Sequence, residues 1–192
     1  MDKDKLIEEI VNRQSVRSYK DVPVEREKII RCIHAGHLAP SACNKQPWHF
    51  TVVDDKEIKQ EISSKAFNCP PGFNKFAKSA PVMVIVSAEK HFLTHAVFGG
   101  LQGVQYYLLD IGASVENFLL EATRVGLGCC WLGWFNEKVV KNVLGIPEEV
   151  KVVSIITVGY PESMEQKVRI RKPLDTIYSF NHYSSTPDYK KQ

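Results

Sequence analysis

A chain of 192 residues, 44% hydrophobic and 24% charged, has the makeup of one globular domain with a real core, and it is too short for two large ones. Its 25 basic and 22 acidic residues are well mixed, and a net charge of +3 offers no basic face of the kind that grips nucleic acid. The longest apolar runs, such as "PVMVIVSA", are too short to span a bilayer, so neither nucleic acid nor a membrane is expected as a partner.

Taken in chain order, the pattern opens with a short amphipathic helix. Leu6, Ile7, Ile10 and Val11 share one face, and the run ends near Arg13. The charged start "MDKDKLIEEIVNRQ" has no apolar signal core. Together with five cysteines (32, 43, 69, 129 and 130) in no disulfide-framework spacing, it points to reduced thiols in a cytoplasmic protein. A second helix is expected from about Pro23-Val24 through Ile29, Ile30 and Ile33 toward Leu38. "WHFTVVD" reads as a strand and "DDKEIKQEISSKAF" as a helix with an acidic start. "PVMVIVSA" reads as a strand covered on both faces. The longest helix, "YYLLDIGASVENFLLEATRV", is apolar on most sides and therefore expected to be central. Asn136 is placed to cap a short helix closed by Gly145, and "VVSIITVGYP" forms a last strand stopped by Gly159 and Pro161. With no repeat or linker, residues 1–192 read as one α+β domain. The expected architecture is a three-layer α/β/α sandwich around a mixed sheet, with a long buried central helix.

Several chemistries are missing from the pattern. No G-x-G-x-x-G follows a strand, "FGGLQG" has the wrong spacing and setting, and there is neither a P-loop nor a G-x-S-x-G. Cys32, His34 and His37 cluster on a helix, but Cys32 and His34 point to different faces; His91 and His95 are four apart. Ordinary histidines are the better reading than a metal site, and no metal is expected. Cys129-Cys130 is not C-x-x-C and reads as buried strand packing. Positive charge beside hydroxyls is more suggestive. "NRQSVRSY" sets Arg13, Ser15 and Arg17 at the exit of the first helix, and "KVRIRKP" puts Arg169 and Arg171 on one side of an extended segment. Guanidinium forks with a serine hydroxyl suit a phosphate dianion, although scattered surface charge is the plainer account of either cluster alone.

Four motifs in register, "NRQSVRSY", "APSACNKQPWHF", "DIGASVENFLLEATRVGLGCCWLGWF" and "RIRKPLDTI", resemble those of the FMN-dependent nitroreductase family over nearly the whole chain. The resemblance implies a nitroreductase-like fold whose central sheet is mixed but mostly antiparallel, bound FMN, and a homodimer. It assigns Arg13, Gln14, Ser15 and Arg17 to the phosphate, ribityl chain and one ring edge, with Arg169 and Arg171 completing the phosphate clamp. Pro40, Ser41, Ala42, Asn44 and Gln46 would line the ring, commonly from the partner subunit. Pro47 and Trp48 would fix that loop. Trp131, Leu132 and Gly133 would lie against the ring, where a glycine lets a backbone N–H approach the reactive nitrogen. Asp110, Gly112 and Asn117 belong to the same pattern in structural roles.

The flavin carries the chemistry, so no catalytic side chain is implied. Hydride would pass from NAD(P)H through FMN to a nitroaromatic, quinone or similar small-molecule acceptor by a ping-pong mechanism. Another flavin reaction on the same scaffold (dehalogenation, flavin fragmentation or enone reduction) and a non-catalytic FMN-binding redox sensor stay open. The family pattern breaks at "KHFLTHAVFGGLQGVQ", which commonly helps cover the substrate face. The aromatic tail from about residue 175 to 192 is expected to reach onto a partner subunit.

Overall fold

The computed structural model describes residues 6–67, 72–89 and 103–183. Cys69, His91, His95, Tyr189 and most of the segment where the family pattern breaks lie outside them. Elements follow in the order α1 (Glu8–Asn12), α2 (Arg26–His37), β1 (Trp48–Val53), α3 (Lys56–Ala66), β2 (Val82–Glu89), α4 (Tyr106–Arg124), β3 (Gly128–Leu132), α5 (Glu137–Leu144) and β4 (Val150–Gly159).

The four strands form one sheet in the order β1-β2-β4-β3, and every neighbouring pair is antiparallel. Among the described residues, the parallel component is a single bridge between Ser15 and Cys129, beside which the Val16 N–H donates to the Cys129 carbonyl at 2.9 Å. The segment after α1 is thus laid along the outer edge of β3. Strand β2 is buried from Val82 to Ala88, as a continuous apolar run predicts for a strand with both faces covered. Its alternation divides the core. Val84 and Val86 face α2 and α4 with Ile29, Cys32, Ile111, Val115, Phe118 and Ile156. Met83 and Ile85 face α3 and α5 with Ile62, Val140 and Ile155. These are the three expected layers.

Local capping accounts for two element boundaries. The Asp55 carboxylate accepts the Ile58 N–H at 2.9 Å at the start of α3, and the Asn136 side chain accepts the Val139 N–H at the start of α5. Gly145, at φ 64°, closes α5 in the left-handed conformation that glycine adopts without strain. One expectation needs correction. α2 begins at Arg26 rather than at Pro23-Val24, because Glu25 is still extended at φ −64° and ψ 129° and the proline only stiffens the lead-in. α1 has five residues and none is buried; Ile7 is 64% exposed. α4 buries one face, through Ile111, Ser114, Val115, Phe118, Leu119 and Ala122, while Leu108 and Leu109 stand in solvent. Among the described residues, one side of the long helix is covered.

Candidate functional site

Between α2 and β1 the chain makes a costly turn. Cys43, Asn44 and Gln46 all have positive φ, at 52°, 54° and 48°. Non-glycine residues held this way cost on the order of 1–3 kcal/mol each and persist where the surroundings over-determine them. Three groups of bonds do so here. Ser41 Oγ accepts the Gln46 N–H at 2.9 Å, and Asp110 Oδ1, on α4, accepts the Ala42 N–H at 3.0 Å. Gln46 Nε2 donates to Asn44 Oδ1 at 3.1 Å. Pro47 is buried and Trp48 packs on the α2/α4 core, so the loop is clamped at its exit while Pro40, Asn44 and Gln46 stay exposed. Asn117, on the same helix as Asp110, ties α2 by donating to the Ala35 carbonyl at 3.3 Å. Because the Ala42 bond has a carboxylate acceptor, Asp110→Ala is expected to cost about 1.5–3 kcal/mol, read as a lower urea midpoint with an unchanged slope.

A second group gathers where α1 ends. A cavity of about 170 Å³ is walled by Arg13, Gln14, Ser15, Glu116, Leu119, Thr123, Cys129 and Trp131. Arg13 Nε lies 3.3 Å from Glu116 Oε1 of α4, with the arginine side chain 23% exposed. Arg169 is brought beside it. Partial burial and then the positive charges of Arg13 and Arg171 hold the Arg169 pKa below its usual value, with Glu116 opposing. Three guanidiniums therefore converge on one side of the molecule with one carboxylate among them, a charge pattern that favours an anion. Arg17 does not join them: its guanidinium lies 5.8 Å from the centre of the Phe76 ring.

Ser15 lines the cavity, and burial raises the pKa of the Cys130 thiol against the opposing effects of Arg17 and Ser15, as it does for Cys129 and for Cys32, which reaches about 12. These thiols stay protonated at neutral pH and serve as packing. Cys32 lies inward on α2 whereas His34 and His37 are exposed, so the three do not converge.

Strand β3 completes the picture. Trp131 is 40% exposed on the cavity side, and Leu132 is buried toward α5. Gly133 follows, about 7 Å beyond Trp131 at strand rise, and a Cβ built on it meets no atom within 4 Å. That is unlike Gly159, where a Cβ would sit 2.5 Å from Pro81 and 2.9 Å from Tyr19. The open space above Gly133 and the arginine cluster thus share one sheet edge. Among the described residues, no hydrogen bond or ion pair connects them to the 40–46 loop.

The chain as a whole has counterparts among known proteins. A family model described as the nitroreductase family matches residues 10–74 and 68–160. The chain belongs to the nitroreductase family. Among its relatives is an Archaeoglobus fulgidus protein whose name pairs NADH dehydrogenase with NAD(P)H nitroreductase. The two are 34% identical over 157 residues, which cover 80% of this chain and 83% of the relative. The FMN reductase [NAD(P)H] of Bacillus subtilis is 28% identical, covering 91% of this chain and 72% of the relative. A solved FMN-dependent nitroreductase from Clostridium difficile superposes with a TM-score of 0.74 at 29% identity, covering 91% of this chain and 98% of that one. The nitroreductase fold read from the motifs is thus the fold observed.

Two features of this candidate site carried no advance signal. Glu116 reads in sequence as one more polar residue on a helix, and only the packing of α1 on α4 makes it the counter-ion of Arg13. The side chain of Gln14 reads as a contact for the bound group but turns toward the backbone of residues 165 and 167.

Proposed function

We propose that the protein is an NAD(P)H-dependent oxidoreductase that holds FMN and passes electrons to a small oxidised acceptor such as a nitroaromatic or a quinone. The single observation carrying this reading is the sheet edge where Arg13, Ser15 and Trp131 wall a cavity next to an unobstructed Gly133. A terminal phosphate matches the arginine and serine donors, and a flat ring matches a glycine that nothing approaches. When bound, FMN supplies the hydride chemistry, so the protein's task is binding, orientation and electrostatics. Arg13 and Arg171 supply the charge for the phosphate, Ser15 a hydroxyl, and Gly133 a backbone N–H beside which no side chain stands. Among the described residues no helix is long and apolar enough to cross a membrane. The buried, free cysteines suit a reducing, cytoplasmic setting.

The working unit is proposed to be a homodimer with a site at each end of the interface. A cavity of about 170 Å³ falls well short of the roughly 300–1,000 Å³ typical of a site for a drug-sized ligand, so one chain supplies only part of the walls. The same chain exposes Ile7, Leu38, Leu109, Trp134 and Phe180 by 60% or more, apolar surface that a second copy would cover. Tyr178 and Phe180, edge to face at 5.7 Å, stand exposed on the tail with Tyr183, as an arm lying on a neighbour would.

The purified protein is expected to be yellow, and the chromophore released by heating to have the mass of FMN rather than FAD. Steady-state turnover with NAD(P)H and an artificial quinone should give parallel double-reciprocal lines, because one ring face serves both substrates in turn. A colourless protein that takes up no added FMN would end this reading, and intersecting lines would require a second nucleotide site.

A further inference from the structure

We propose that Gln14 and Arg169 are positioning residues that staple the C-terminal basic segment to the end of α1, leaving Arg13 and Arg171 as the arginines that touch the phosphate. This rests on the FMN reading above and assigns two residues within it to a different task. A helix leaves its last four carbonyls without intrahelical partners. In α1 the Glu9 carbonyl is satisfied by the Arg13 N–H at 2.8 Å. The other three are met from more than 150 residues away. Arg169 Nη1 donates to the Ile10 carbonyl at 2.9 Å and Nη2 to the Val11 carbonyl at 2.6 Å, while Gln166 Nε2 donates to the Asn12 carbonyl at 3.1 Å. Arg169 Nη2 also donates to the Arg13 carbonyl. From the other side, Gln14 Nε2 donates to the Glu165 carbonyl at 3.0 Å and Gln14 Oε1 accepts the Lys167 N–H at 3.2 Å.

Residues 163–173 have no helix or strand of their own, so these side chain to backbone bonds set their course. The chemistry of the guanidinium decides the role of Arg169. Each of its two-pronged edges includes Nη2, and both hydrogens on that nitrogen are already donated to carbonyls. No edge is left for a bidentate grip on phosphate. Among the described residues, Arg171 donates to the carbonyl of its neighbour Ile170 through Nη1 alone and remains exposed, which leaves it such an edge. Arg169 therefore acts through α1: it fixes the turn from which Arg13 and Ser15 project and sets the distance to Arg171.

Three variants of the FMN-free protein decide the matter: Gln14→Met, Arg169→Met and, for comparison, Arg171→Met. Each is titrated with FMN and with riboflavin, which lacks the phosphate, and amide exchange is followed at Arg13 and Val16. Loss of Arg171 should weaken FMN about tenfold or more, leave riboflavin within about twofold, and leave exchange unchanged. Loss of Arg169 or Gln14 should speed exchange about fivefold or more and weaken both flavins by similar factors, because the Ser15 segment loosens with the staple. The proposal is overturned if those two variants weaken FMN alone with exchange unaltered, which would make them phosphate contacts. Faster exchange with both flavin affinities intact would make the staple merely structural and overturn it equally. Should Arg169→Met not fold, Gln14→Met carries the test alone. A wild-type chain that takes up neither flavin defeats the FMN reading, and the exchange measurements then still decide whether the staple exists.

Discussion

Gly133→Val should strip the protein of its flavin while leaving the fold of the apoprotein intact. A Cβ at this position meets nothing within 4 Å, and the backbone there is not in the left-handed region, so a side chain adds neither clash nor strain within one chain. Surface substitutions of that kind usually lie within about ±0.5 kcal/mol of wild type. In the proposed complex, however, the two γ-methyls would stand where the ring lies. Forcing such a group into a packed contact costs about 1–3 kcal/mol, roughly a five- to 150-fold loss of FMN affinity. Gly159→Ala should behave in the opposite way. Its Cβ would lie 2.5 Å from Pro81, inside the fold, so the melting point should drop and the affinity of the remaining folded protein should hold. Thermal melts and fluorescence titrations on the two variants side by side separate a glycine that makes room for a ligand from one that makes room for its own chain. Equal FMN retention by Gly133→Val and wild type would move the ring elsewhere.

Mixing two inactive proteins should restore activity. One carries Arg13→Ala and Arg171→Ala; the other carries Ser41→Ala and Asn44→Ala. If the arginine cluster of one chain and the 40–46 loop of its partner share a site, a heterodimer gathers both lesions in one site and leaves its second site whole. Random reassociation makes half of the dimers mixed with one good site each, so roughly a quarter of wild-type activity should return after joint unfolding and refolding. Either protein refolded alone should stay inactive. Confirmed heterodimers with no regained activity would put loop and cluster on the same chain, and a fully active monomer would end the dimer proposal.

How much of this was legible in the sequence depends on how local each cause is. The α5 boundaries were legible because Asn136 and Gly145 act through bonds to residues three or four positions away. Strand β2 was legible because its buried stretch opens with an unbroken apolar run, Val82 to Val86. The apolar faces of α1 and α4 were legible and their cover was not: apolar periodicity states that a face is to be covered and not by what. Ile7 and Leu109 carry the pattern of core residues and are 64% and 62% exposed in the single chain. The site was legible as residue types, since arginines, a serine and an Asn-Gln loop advertise anion and ring recognition. Which arginine does which task was not. Arg169 and Arg171 are alike as letters, and only the carbonyls at the end of α1 tell them apart. Glutamine to backbone bonds have no spacing rule, so the staple left no trace in the pattern.

The staple also sets an order of assembly. The four strands among the described residues are complete by Gly159, so the sheet and both core layers can form before the segment carrying Gln166 and Arg169 has joined them. At that moment the carbonyls of Ile10, Val11 and Asn12 still lack the donors that later close them off, and the turn bearing Arg13 has not been fixed. Contacts spanning this much of the chain form late, because loop closure must precede any gain from them. The sheet would therefore be folded well before the chain was able to hold its cofactor, and loading would wait for residues 163–173 to dock on the end of α1.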